Sequence, residues 1–449
     1  MRSRLSVLYF LQFGIWGCYL TCFGQLLGAG GLGRSIAWFY AAIGIVSILT
    51  PAVMGHIADK MKQPGLLLSV CHGAAATAML VSWFYASTTP TLDFVTFYIL
   101  YLLFLLFYMP TMALANTVSF GLLKSHGIKP VDAFPSIRVW GTVGFVAAMW
   151  FVNSVYFHDG HLGIAFSDTA PLAQYRFQYT STQLLCASIT GLITSLYALT
   201  LPALPFDPST KPLIKGVPGL KALRHFFSNS TTRVFLIFAA FSGVCLQISN
   251  GFATPYINHF MGIDKYAGSI ASGNATMLFS LSQISEAAAI LLVGITMKRF
   301  GIKTVIAIGL SAWALRFVLL GLGNPGDGLW MLVASMIVYG IAFNFITIAG
   351  HLFMEQSSDS NTKGLGQGVM MLMSNGFGAT VGTLTAGVIV NRWCHWEMVT
   401  MPDGSRMQLF SGDWIWPWII FGIYAAALAL LWCLFFKRNK ADYVSDGNP

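Results

Sequence analysis

Glu286 is the residue with the greatest chemical reach in this sequence. Of the 16 Asp and Glu residues, nearly all fall in polar stretches, whereas Glu286 sits deep in an apolar one, in Ser282-Gln283-Ile284-Ser285-Glu286. A charge at the centre of a bilayer costs at least about 2.5–3.5 kcal/mol, so such a group must face water or a partner. A carboxyl that gains and loses a proton there is what a proton-driven carrier requires. The alternative is a permanently neutral acid bridging two helices. Gln247 and Asn250 repeat the i, i+3 spacing of Gln283 and Glu286, and Tyr339 and Phe343 stand at i, i+4 with Asn344 next. On a helix each pair projects from one face. Amides and a carboxyl can hold hydroxyl groups and aromatic faces can stack, so the set suits a small polar solute with a planar ring. Hydrogen bonding between helices is the competing use for each of these side chains taken singly.

Two arginines join them. Arg138 opens the segment Arg138-Val139-Trp140-Gly141-Thr142-Val143-Gly144-Phe145, where positions 138, 142 and 145 share a helix face. Its guanidinium is charged at any working pH and suits a planar hydrogen-bonding partner. A boundary arginine reaching back to the headgroups is the other reading. Arg316 has no comparable polar face around it, and a structural or snorkelling role is expected.

The elements that carry these residues are membrane helices. The chain is 449 residues long, 56% hydrophobic and 9% charged, with a mean hydropathy of +0.68. Soluble domains carry roughly 25% charge, so this surface is made for lipid. A span needs about 20 apolar residues. Twelve such stretches are predicted, at 5–28, 36–57, 65–86, 92–122, 137–157, 182–203, 233–260, 267–297, 303–322, 328–354, 365–391 and 414–436. About 18 Lys and Arg fall on one side of this arrangement and about five on the other, which puts both termini in the cytoplasm. The first stretch lacks a small-residue cleavage site and is expected to stay as a helix. The net charge of +9 follows from the asymmetry and from anionic headgroups. Because the basic residues are scattered over short loops, nucleic-acid binding has no support.

Enzymatic chemistry has no support either. There is no H-E-x-x-H pair and no G-x-S-x-G turn, and His56, His72 and His351 stand alone. Cys18 and Cys22 share a helix face without any His or carboxylate, so packing is expected there, with no metal and no cofactor. The outer loops 158–180 and 393–413 suggest no function.

The stretch 204–232, basic and rich in proline, divides the spans six and six. It separates a bundle at 1–203 from a second at 233–436, with a cytoplasmic tail at 437–449. The halves echo one another weakly, with Gly55 to Lys60 answering Gly294 to Arg299 and Tyr108-Met-Pro-Thr answering Tyr339-Gly-Ile-Ala. Two parallel six-helix repeats around a midplane cavity describe the all-α major facilitator architecture.

Longer motifs carry a closer resemblance. Ile137 to Phe145, Leu246-Gln247-Ile-Ser-Asn250, Ser282-Gln283-Ile-Ser-Glu286 and Met336-Ile-Val-Tyr339-Gly340 are similar to the bacterial nucleoside:proton symporters of the major facilitator superfamily. So are Leu11-Gln12-Phe13, Trp16-Gly17, Pro110-Thr111, Arg299-Phe-Gly-Ile-Lys303, Trp313 with Arg316-Phe317, and Ser374-Asn375-Gly376-Phe377-Gly378. The resemblance implies nucleoside import, for purines and pyrimidines, with protons across the bacterial inner membrane, by a monomer working through alternating access. It also implies solute binding by Arg138, Thr142, Phe145, Gln247, Asn250, Gln283, Glu286, Tyr339 and Phe343, with Glu286 coupling the proton. Family members carry an acid directly after the second aromatic of the tenth span, where this sequence has Asn344. An amide carries no proton. Either Glu286 couples alone, with Asn344 behind it or at an altered coupling site, or the carrier is an uncoupled facilitator. A carrier for another polar solute, such as a sugar, also fits the composition.

Overall fold

The computed structural model describes residues 1–60, 64–166, 173–202, 226–357, 363–400 and 406–436. The central stretch predicted as a linker and the tail after 436 fall largely or wholly outside these residues. The first group of helices is α1 (Arg2–Tyr19), α2 (Phe23–Ala29), α3 (Ile36–Lys60), α4 (Pro64–Thr88), α5 (Phe94–Ser125), α6 (Pro130–Ser154) and α7 (Thr182–Leu199). The second is α8 (Ser230–His259), α9 (Ala275–Leu322), α10 (Leu329–Gln356), α11 (Lys363–Met371), α12 (Ala379–Trp393) and α13 (Ile415–Phe435). Among the described residues, eight helical segments are long and apolar enough to cross a membrane.

Local chemistry sets the ends. Asp93 caps α5 by accepting from the Thr96 N–H at 2.8 Å, and Asn229 caps α8 by accepting from Thr231 and Thr232. Pro130 starts α6, where its missing N–H costs nothing. Pro110 and Pro255 lie inside α5 and α8.

Four predicted spans are built differently. The first is broken at residues 20–22 into α1 and α2. The stretches 267–297 and 303–322 are joined without a loop, because α9 is interrupted only at Gly301, whose φ of 74° and ψ of 168° suit a residue with no Cβ. Residues ahead of Ala275 form turns and a short helix, Ile270–Gly273, instead of the start of a span. The eleventh stretch has a π-helical segment, Leu372–Gly378, between α11 and α12.

The predicted outer loops carry two antiparallel hairpins, β1 (Val155–His158) with β2 (His161–Ile164) and β3 (Cys394–Thr400) with β4 (Arg406–Gly412). Asp159 and Gly160 both take positive φ at the first turn, as a two-residue hairpin demands.

Buried apolar side chains gather within each group. One cluster runs from Tyr19 and Phe23 through Phe39 to Tyr101, Phe104 and Tyr108. Another joins Tyr256, Trp313, Phe317, Trp418 and Trp432. In the first group α1 lies on α6 and α7, and α4 on α5 and α7. In the second, α9 lies on α10 and α13, and α8 on the π-helical segment and α12. Across the groups, α6 meets α9 and α3 meets α12. A Cβ on Gly144 would collide with the Phe10 carbonyl, which shows how closely α6 approaches α1. Large apolar side chains are exposed around the outside, Phe84 at 62%, Leu291 and Val388 at 75% and Leu430 at 62%, as lipid contact allows.

Candidate functional site

The second group of helices supplies three polar faces. Gln247 and Asn250 come from α8, Gln283 and Glu286 from α9, and Tyr339 and Phe343 from α10. Gln247 is buried, while Asn250, Gln283, Glu286 and Phe343 are part-exposed. Ser285 donates from its Oγ to the Ile337 carbonyl, and Gly340 leaves no room for a Cβ against Ser285. That close crossing holds the Glu286 face of α9 against the Tyr339 face of α10.

The Tyr339 ring is stacked with Phe343 at 5.9 Å and 14°, and stands edge-on to Trp313 at 5.7 Å. Its hydroxyl is within polar reach of Gln283 and of the Glu286 charge. Phe343 borders an open recess shared with Ser242, Trp313, Thr347 and Asn375. The π-helical segment supplies Asn375 to that recess, a geometry often found at functional sites.

The first group contributes Arg138, Thr142 and Phe145 from α6. The Arg138 guanidinium lies over the Phe13 ring at 3.9 Å, and one of its Nη atoms is beside Gly141. The side chain therefore runs up its helix toward the interior and does not snorkel to the nearer headgroups. There it interacts with the charge of Glu286 across the boundary between the groups. Thr142 is part-exposed. Phe145 is 6% exposed and packs with the core of the second group, so it is a contact between halves.

Among the described residues, the side chains of Thr142, Gln247, Asn250 and Glu286 make no hydrogen bond, and Glu286 makes no ion pair. Helix-bridging amides would be engaged with a neighbouring helix. These are not. Asn344 is different. It is 4% exposed, and its Nδ2 donates to the main-chain carbonyl of Glu286 at 2.6 Å. It steadies the residue in front of it and does not face the solute side.

Two arginines were underestimated from the sequence. Arg316 is not snorkelling but wholly buried, with three helices around it. Arg176, one of the about five basic residues on the sparser side, is also wholly buried. Its Nη1 donates to Asn274 Oδ1 at 2.9 Å and to the Asn153 carbonyl at 3.2 Å. Asn153 Nδ2 donates to the same Oδ1 at 2.7 Å. Tyr179 donates to the Gly273 carbonyl at 2.8 Å, its phenol pushed above the ordinary value by burial while Arg176 pulls the other way. Trp150 donates to Ser280 at 2.7 Å. Every hydrogen bond joining the two groups between described residues falls at this hairpin end. The indole of Trp396, from β3, covers Gly28 and Gly33 there, where a Cβ would strike it. The aromatic cluster Tyr175, Phe177 and Tyr179 around Arg176 was the signal in the sequence.

Comparison with known proteins gives the family and the fold. The chain is 36% identical to the xanthosine permease of Escherichia coli (strain K12) over 443 residues, 98% of this chain and 96% of that protein. It is 33% identical to the nucleoside permease NupG of the same organism over 441 residues, 97% and 96% of the two chains. The crystal structure of the nucleoside transporter NupG superposes with a TM-score of 0.80 at 32% identity, covering 98% of this chain and 99% of that one. A bacterial homologue of the human lysosomal transporter Spinster, in an inward-facing and unoccupied conformation, shares the fold at a TM-score of 0.67 and 15% identity, covering 99% and 98%. Residues 1–441 match the family described as Nucleoside H+ symporter, and the chain belongs to that family.

Proposed function

We propose that this chain imports nucleosides together with protons across the bacterial inner membrane by alternating access. The observation that carries the reading is the uncommitted polar set on α8, α9 and α10, which faces Arg138 from the other half. Gln247, Asn250, Gln283 and Glu286 hold ribose hydroxyls, while Arg138, Thr142 and the Tyr339–Phe343 pair frame the base. Phe145 seals the boundary beside them. Glu286 is the proton carrier, because its carboxyl is the titratable acid in that set.

Twelve crossings, arranged as bundles at 1–203 and 233–436 joined by the stretch 204–232, are supported by the two groups of helices, whose apolar clusters are largely their own and meet at residues such as Phe145. The basic asymmetry places both termini and the tail at 437–449 in the cytoplasm. On that orientation the hairpin end is the outer face, and the structure is shut there. The working unit in this reading is a monomer.

Radiolabelled uridine uptake into vesicles, with and without an inward proton gradient, tests the reading. Uptake above equilibrium that needs the gradient, withstands excess sugar and disappears in Glu286→Gln supports it. A uridine flux that ignores the gradient and survives Glu286→Gln favours the facilitator, a reading that Asn344 already suggests. Competition by sugar would remove nucleosides as the cargo.

A further inference from the structure

Arg316 lies beside the proposed solute set, and among those residues its side chain meets the Tyr339 ring. It is wholly buried, and the ion pairs between described residues are His158–Asp159 and His395–Glu397, both in the hairpins. A buried cation is costly unless its hydrogen bonds are met, and apolar packing would join helices more cheaply. Here all the acceptors are neutral. Nε and Nη2 donate to Ser249 Oγ at 3.1 and 2.8 Å, and Nη1 donates to the Ser335 carbonyl at 2.5 Å and to Ser282 Oγ at 3.5 Å. The guanidinium carbon is 4.8 Å from the centre of the Tyr339 ring and 5.8 Å from that of Phe279.

Each of these contacts adjoins a solute-facing position. Ser249 stands between Gln247 and Asn250 on α8, and Ser282 immediately precedes Gln283 on α9. Ser335 is one turn before Tyr339 on α10, and the Tyr339 ring itself lies under the guanidinium. One planar fork thus holds the backs of three helices whose fronts carry the binding groups. A lysine offers a single point of charge and cannot span the same three directions.

We propose that Arg316 is a positioning residue for solute binding. It fixes the rotation of α8, α9 and α10 about one another, and it holds the Tyr339–Phe343 pair in line for stacking. The proposal rests on the solute reading above and adds to it a residue with no direct contact to the cargo.

The test uses Arg316→Lys and Arg316→Met in the full chain, in vesicles and in detergent, with uridine as probe. Melting temperature, uridine Kd, KM and maximal rate are measured for each. The expected result is a KM raised by about tenfold or more with the maximal rate nearly kept, because the loss is of binding geometry and not of the later conformational step. Lysine should not rescue it. Ser249→Ala, which removes the α8 acceptor alone, should raise KM by about threefold while the protein stays folded. Variants that fold and keep the wild-type KM overturn the role of Arg316. Failure of both Arg316 variants to fold, together with an unchanged KM in Ser249→Ala, overturns it as well. Absence of uridine uptake by the wild-type protein takes down the solute reading and this inference together.

Discussion

At the scale of single residues, Asn344 stands behind Glu286, the proposed proton carrier, as its support. The Asn344 amide donates to the Glu286 carbonyl, so it fixes the backbone that presents the carboxyl. An ionised aspartate there can only accept, and it would face a carbonyl with nothing to donate. Asn344→Asp should therefore lower stability by about 1–3 kcal/mol. The loss should be greater in alkaline than in acidic buffer, because a protonated acid regains the donor; thermal unfolding at two pH values checks the sign. Residue type and spacing made most of the site legible. Gln247, Asn250, Gln283, Glu286, Tyr339 and Phe343 could be placed on three helix faces before any coordinates. The direction of Arg138 and the depth of Arg316 could not, because both depend on neighbours far away in sequence, Phe13 for one and Ser249 and Ser335 for the other.

At the scale of elements, hydropathy located the helices but not how they join. The Gly301 break, the π-helical segment and the split between α1 and α2 leave the apolar pattern unchanged, so no window of hydrophobicity detects them. The Asp159-Gly160 turn was legible in principle, as a common two-residue hairpin signal, but reading the stretch as a loop between spans hid it. Close packing of α1 on α6 depends on Gly144 against the Phe10 carbonyl. Gly144→Val should cost about 1–3 kcal/mol by forcing the helices apart. Because Phe13 and Arg138 lie on those same two helices, uridine affinity should fall with the melting temperature, and a binding isotherm beside a melt tests both. Unchanged affinity in a destabilised variant would uncouple the helix contact from the site.

At the scale of the whole molecule, the hydrogen bonds that join the two halves between described residues fall at the hairpin end. Asn274 is the centre of that contact, accepting from Arg176 and Asn153 and donating to the Phe166 and Ile270 carbonyls. Hydrogen bonds to a charged group contribute about 1.5–3 kcal/mol each, so Asn274→Ala should shift the balance between the two postures by one to two powers of ten. The measurement is the reaction of a cysteine placed at Gln25, buried on α2, with a membrane-impermeant maleimide added outside. Faster labelling in Asn274→Ala is expected, and equal rates would show that the bonds do not hold the face shut. Sequence gave no hint of this closure beyond the aromatic residues around Arg176, since its partners come from α6, from the turn before α9 and from the loop after β2.

The composition of that closure has a consequence for the energy source. A guanidinium, two side-chain amides, a phenol raised by burial and main-chain carbonyls hold it, and none of these takes up a proton as the surroundings turn acidic. On the proposed orientation, acid outside thus has no purchase on these particular bonds, whatever it does to His158 and Asp159 in the neighbouring hairpin. These bonds are blind to the gradient, and in the proposed mechanism sensing it falls to the carboxyl at the middle of the membrane.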